Sequence, residues 1–171
     1  MKKFLLIFTA VCAVVLFSCN GNSVVKKVKF ELQIQRADGS YTAVQNGETV
    51  VIDKAEDPNF PDVVGFVVKL TTDTKFKLVV DVVRNFQAGT TDELCVGSCL
   101  PGQIFEYDND GNIISVQDVP SFSFEVRDFE VATYSHCTPK VAGDNIIEYN
   151  FHPKDDASNS IKFSVNYHKP N

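Results

Sequence analysis

Lys27-Val28-Lys29-Phe30-Glu31-Leu32-Gln33-Ile34-Gln35 sets Val28, Phe30, Leu32 and Ile34 on one side and Lys27, Lys29, Glu31, Gln33 and Gln35 on the other. A period of two residues is the signature of a β-strand with one face buried. The same pattern returns at the far end, where Ile161, Phe163, Val165 and Tyr167 alternate with Lys162, Ser164, Asn166 and His168. Between them lie further short apolar runs: Tyr41 to Val44, Thr49 to Ile52, Asp62 to Leu70, Lys75 to Arg84, Gln103 to Tyr107, Asn112 to Val116, Ser121 to Val126, Phe129 to Tyr134 and Asn145 to Phe151. Val79 and Val83 interrupt the alternation of the Lys75–Arg84 run, which reads as a strand buried on both faces.

Turn chemistry separates these runs. Ala37-Asp38-Gly39-Ser40 is a turn, and Asn46-Gly47 and Asp108-Asn109-Asp110-Gly111 are hairpin signals, because Asn, Asp and Gly accept positive φ. Asp53 to Pro61, with two prolines, and Asn85 to Asp92 read as loops. No helical periodicity exceeds a turn or two. Many short strands with turns every ~8–12 residues predict an all-β sandwich or barrel.

The N-terminal segment has a different character. Lys2 and Lys3 precede an apolar run, Phe4 to Phe17, broken only by Thr9. That run falls short of the ~20 residues a spanning helix needs and has the form of a secretory signal. Leu16-Phe17-Ser18-Cys19 resembles the lipobox of bacterial lipoproteins. The resemblance implies cleavage before Cys19, diacylglycerol on its thiol and acylation of the new amine. Phe17 is bulkier than the usual residue there. Two or three chains on Cys19 would hold the protein stably at a membrane. The expected layout is a signal peptide at 1–18, the lipidated Cys and tether at 19–24, and one β-sandwich domain at 25–169.

Removal of 18 of the 171 residues leaves 153, enough for one domain with a sizeable core. The removed segment holds two of the sixteen basic residues and no acidic one, so 14 basic face 22 acidic residues, a balance of −8. That acidity argues against nucleic acid as a partner. The one basic cluster, Lys26-Lys27-Lys29, reads as a solvated strand face.

From Lys75 to Tyr167 the order of motifs resembles immunoglobulin-like or fibronectin-III-like modules of secreted and lipid-anchored Bacteroidota-type proteins. The carriers are Asp92-Glu93-Leu94-Cys95-Val96-Gly97-Ser98-Cys99-Leu100-Pro101, Thr138-Pro139 with Gly143, Ile146-Ile147-Glu148-Tyr149-Asn150-Phe151, and Phe163-Ser164-Val165-Asn166-Tyr167. Cys137 departs from the pattern, which has an aromatic residue there. The resemblance implies an immunoglobulin-like β-sandwich, a structural or binding role without transferable chemistry, and a Cys95–Cys99 disulfide. The residues themselves leave pairing open. Export permits disulfides, three cysteines remain after Cys12 and Cys19, and Cys99–Cys137 or Cys95–Cys137 would close a longer loop; otherwise Cys137 is free.

No catalytic constellation emerges. Cys95, Cys99, Cys137 and His136 lack the Cys-x2-Cys spacing of a zinc knuckle. Asp108-Asn109-Asp110-Gly111-Asn112 has the look of a calcium loop, but in that register Gln117 stands where a bidentate carboxylate is required. His136, His152 and His168 have no nucleophile at a recognisable elbow, and Asp155-Asp156 reads as a solvated turn. No metal, cofactor or enzymatic activity is expected. The expected role is that of a lipid-anchored envelope protein of the outer membrane, held through Cys19 and working on an envelope protein partner. The alternatives are a surface lipoprotein binding glycan or host ligand, and a pilin-like subunit. Surface-exported lipoproteins of the type it resembles carry acidic residues after the Cys. Here Asn20-Gly21-Asn22-Ser23 is neutral and Lys26-Lys27 basic, which favours the periplasmic face.

Overall fold

A computed structural model of the chain describes residues 27–36, 38–52 and 64–171. The signal segment, Cys19 and its tether lie outside the described residues. Thirteen strands are described, and among the described residues no helix is long and apolar enough to cross a membrane.

The strands are β1 (Phe30–Gln35), β2 (Tyr41–Ala43), β3 (Glu48–Ile52), β4 (Val64–Thr72), β5 (Phe76–Asn85), β6 (Thr91–Val96), β7 (Cys99–Pro101), β8 (Gln103–Tyr107), β9 (Ile113–Asp118), β10 (Ser121–Val126), β11 (Glu130–Thr138), β12 (Gly143–Pro153) and β13 (Ile161–Lys169). One sheet has the order β2-β1-β4-β11-β6-β7, the second β10-β5-β12-β13-β3, and β8-β9 form a separate two-stranded sheet. Seven strands, β1, β4, β5, β6, β11, β12 and β13, taken in chain order as A to G, give an A-B-E-D sheet facing a C-F-G sheet. That is the immunoglobulin-like sandwich. The second sheet gains β10 and β3 at its edges. β7, β8, β9 and β10 together form an insertion between the D and E positions.

The alternation dictates which residues meet. Leu32 and Ile34 of β1, Leu70 of β4 and Leu94 of β6 face inward from the first sheet, against Leu78, Val80, Phe124, Ile147, Phe151, Phe163 and Val165 of the second. The Phe151 and Phe163 rings stack, with centroids 5.8 Å apart, so aromatic packing falls to Phe and Tyr in a chain that has no Trp. Tyr149 and Tyr167 are buried in the same layer, and both hydroxyls bond the Ser135 hydroxyl from the facing sheet. Burial raises the pKa of both phenols above the ordinary tyrosine value.

Two expectations are corrected. The Asn46-Gly47 turn does not join a hairpin: β2 pairs with β1 in the first sheet, whereas β3 runs parallel to β13 in the second. Gly47 has the positive φ of +82° that the signal foretold, but the turn docks on β13. Asn46 Oδ1 accepts the Lys162 amide at 2.8 Å, and the Gly47 amide donates to the Lys162 carbonyl at 2.7 Å. The chain therefore changes sheet there. β5 is also buried on one face only. Leu78, Val80 and Val82 point inward, while Val83 is 63% exposed.

Candidate protein-binding hairpin

The insertion places a hairpin outside both sheets. β8 and β9 pair antiparallel, Phe105 opposite Val116 and Tyr107 opposite Ile113, so these four side chains share a face. The register slips between Glu106 and Tyr107, which makes Ile114 the extra residue of a β-bulge. Tyr107, Ile113, Ile114 and Val116 are each more than half exposed, as is Ile104 on the opposite face. Isolated exposed apolar residues are ordinary on a protein surface, but a contiguous set on one projecting element marks an interaction surface.

The turn is built from its own residues. Asp108 Oδ1 accepts the amides of Asp110 and Asn112 at 2.9 and 2.8 Å, Oδ2 accepts Asn112 Nδ2 at 2.9 Å, and Gly111 supplies φ +84°. Bonding from the Asn112 side chain holds the Asp108 carboxyl below its usual pKa. These bonds occupy the Asp108 oxygens within the turn, and the calcium-like run serves as a hairpin turn.

A buried ion pair anchors the hairpin's roots. Arg84, at the inward end of β5, forks onto Asp92 of β6 with Nε–Oδ1 2.7 Å and Nη2–Oδ2 3.0 Å, joining the two sheets. The side chains are 2% and 0% exposed. Arg84 Nη1 also donates to the Val119 carbonyl at 2.7 Å, just after β9. Just before β8, the Gly102 amide donates to the Asp92 carbonyl at 2.7 Å, and Gln103 Nε2 donates to Asp92 Oδ1 at 2.8 Å. The Val119 amide in turn donates to the Gly102 carbonyl at 2.8 Å, closing the base. Bidentate geometry with each guanidinium nitrogen bonded is the condition under which a buried pair is tolerated.

Cys95 and Cys99 lie opposite one another across the β6–β7 turn, with Cα atoms 3.9 Å apart, and are joined as a disulfide. Gly97, at φ +70°, makes that turn. Cys137 is free and buried on β11, the strand next to β6, in register with Asp92. Desolvation, with a smaller push from the Asp92 charge, takes its thiol up to about 12. The imagined zinc quartet is not assembled. His136 and Cys137 are neighbours on one strand and point to opposite faces. His136 Nδ1 instead lies 2.9 Å from Glu93 Oε1. Glu93 and the two disulfide sulfurs lie within 4.8 Å of one another, but sulfurs bonded to each other offer no thiolate.

A second feature is a groove of about 330 Å³ whose lining includes Asp81, Glu148, Asn150, Lys162 and Ser164, on the outer face of the second sheet. Burial alone would raise the Asp81 carboxyl; bonds from Ser121, Asn150 and His152 outweigh it and hold the pKa below its usual value.

Arg84 and Asp92 carry a signal in the sequence that strand alternation alone does not turn into a site. Arg84 continues the inward series Leu78, Val80, Val82, and Asp92 begins the inward series Leu94, Val96. Charged residues in the buried phase of two strands announce a buried pair.

No protein-family model matches the chain, and no curated protein matches it. Among solved structures, the N-terminal domain of PorA is similar at 16% identity, with 81% of this chain and 96% of that one covered and a TM-score of 0.47. A conjugative transposon lipoprotein from Bacteroides eggerthii is similar at 9% identity over 81% and 95% of the chains, with a TM-score of 0.39. The CooA pilin subunit from enterotoxigenic Escherichia coli is similar at 10% identity over 82% and 99%, with a TM-score of 0.34. The fold assignment rests on the strand order itself.

Proposed function

We propose that this chain is a lipid-anchored, non-enzymatic protein of the cell envelope that works through protein contacts, tethered by Cys19 to the outer membrane and facing the periplasm. The observation that carries this reading is the β8–β9 hairpin, an insertion in an immunoglobulin-like frame that exposes apolar side chains while its roots are fixed by a buried ion pair. Function on common folds resides in such grafted elements. The test is a photo-cross-linking amino acid at Ile114 in living cells, with Glu125 on the outer face of the second sheet as the control position. Protein adducts at Ile114 and none at Glu125 are expected. Absence of any adduct along the hairpin, in cells where the protein is intact, defeats the reading. Cys19→Ala is expected to move the protein from the membrane to a soluble fraction, and protease shaving of intact cells is expected to leave the wild type undigested.

A second reading, a surface lipoprotein binding glycan, is favoured by the groove where Asp81, Glu148, Asn150 and Lys162 stand beside Val83. Digestion on intact cells would move it ahead. The pilin-like reading is opposed by β13, which is paired on both sides, by β12 and β3. That leaves no vacant place beside it for a donor strand.

A further inference from the structure

The partner's chemistry can be read from the hairpin, on the premise that the hairpin is the contact site. Residues 103–118 carry Glu106, Asp108, Asp110 and Asp118 and no Lys, Arg or His. An apolar face with an acidic rim complements an apolar surface with a basic rim. A second copy of the chain would bring two such rims together, which opposes self-association through this element. β8 and β9 pair only with each other among the described residues, so the outer edge of each is open. A lone two-stranded sheet is marginal in water and gains from a third strand. Acidic residues on open edges discourage pairing with like strands while leaving a basic strand acceptable.

The lipid surface is the other apolar candidate. The described chain starts at Lys27, with Val28 held by Asn159 at 2.6 Å and Lys29 beside Asp73, at the end of the sandwich where β4 turns into β5. The hairpin is rooted at Arg84, eight residues along β5, about 27 Å away at strand rise. An acidic tip also opposes approach to anionic headgroups.

We infer that the β8–β9 hairpin docks an extended segment of another envelope protein in which apolar and basic residues alternate, and that this segment adds to the hairpin as a third strand. The probe is a fluorescent peptide of alternating Lys and Val, titrated against the full lipidated chain in phosphatidylcholine nanodiscs, with empty nanodiscs as the blank. Peptides alternating Glu with Val and Lys with Ser are the comparators. Binding of the Lys/Val peptide alone is expected, weakened several-fold between low and high salt, as screening of exposed charges requires. Ile114→Asp with Val116→Asp is expected to weaken it about tenfold or more, since charge replaces apolar contact. Glu106→Gln with Asp110→Asn, which leaves the apolar face intact, is expected to weaken the Lys/Val peptide and relieve exclusion of the Glu/Val peptide. Equal binding of the Glu/Val peptide, or no binding of any peptide, overturns the inference. Hairpin-dependent binding of the soluble Cys19→Ala chain to phosphatidylcholine vesicles overturns it in favour of lipid. Cross-linking at Ile114 in cells alongside a failed peptide titration would remove this partner chemistry and leave the protein-contact role standing.

Discussion

Gly102→Ala tests the root of the hairpin directly. An added Cβ would lie 2.1 Å from Asp92 Oδ1, 2.4 Å from Cγ and 2.6 Å from Oδ2, roughly 1 Å inside any tolerable contact. A carboxylate at the end of a free side chain would swing aside at little cost. This one is held by Arg84 at 2.7 and 3.0 Å and by Gln103 at 2.8 Å, and it has no exposed surface to move into. Overpacking alone costs about 1–3 kcal/mol, and breaking a buried pair by displacing one partner about 3–5 kcal/mol. Partial displacement places Gly102→Ala near about 3 kcal/mol. For a domain of this size that lowers Tm by about 6–12 °C, measurable by circular dichroism. The decisive measurement is the cycle with Asp92→Ser. If the clash acts through the carboxylate, adding Gly102→Ala to Asp92→Ser costs about 1 kcal/mol less, or better, than adding it to wild type. A Gly102→Ala chain that unfolds within about 1 kcal/mol of wild type would refute the rigidity ascribed to the pair, and additive costs in the cycle would refute the route through Asp92.

Reduction of Cys95–Cys99, or Cys99→Ser, is expected to cost about 2 kcal/mol at most, because the loop it closes is short; chemical denaturation with and without reductant checks it. Native Cys137, buried with its thiol pushed to about 12, is expected to resist a maleimide at neutral pH and to label as one thiol after denaturation, read by intact mass. The raised pKa values of Cys137, Tyr149 and Tyr167 have one sign. The unfolded chain loses these protons first, so stability is full below about pH 8.5 and falls as pH rises through the unfolded thiol and then, near pH 10, the unfolded phenols. A urea midpoint that rises between pH 8 and pH 10.5 would contradict this. Asn46→Ala removes the side-chain acceptor of the Lys162 amide and is expected to cost about 1 kcal/mol by the same assay.

Most of the strands were legible because alternation is a local property that burial enforces. Leu32, Ile34, Phe163, Val165 and Tyr167 are buried where their phase placed them. Partnership was not legible at Asn46-Gly47. The dipeptide encodes a positive φ, and that conformation serves a crossing between sheets as readily as a hairpin. What decides is Lys162, more than a hundred residues away, which both turn residues bond. Val83 misled for a related reason: valine fits any pleated surface, so its presence reports strand and not burial. The hairpin's exposure was hidden in the same way. Ile113, Ile114 and Val116 look like core residues in one dimension, and only the sheet order shows no second layer over them among the described residues.

The placement of the insertion gives the molecule a direction. The start of the described chain is bonded to the end of the sandwich that carries Asp73 and Asn159, and Cys19 stands eight residues before Lys27. Those eight residues, fully extended, reach no more than about 28 Å, so a lipidated Cys19 would keep that end close to the membrane. The ion pair that roots the hairpin joins β5 and β6 at the opposite end. A hairpin fixed only by its turn would leave its roots undefined. With Arg84 bonded to Val119 and Asp92 bonded to Gly102, both strands leave the frame from fixed points, so that a partner of the proposed kind would meet a surface already set.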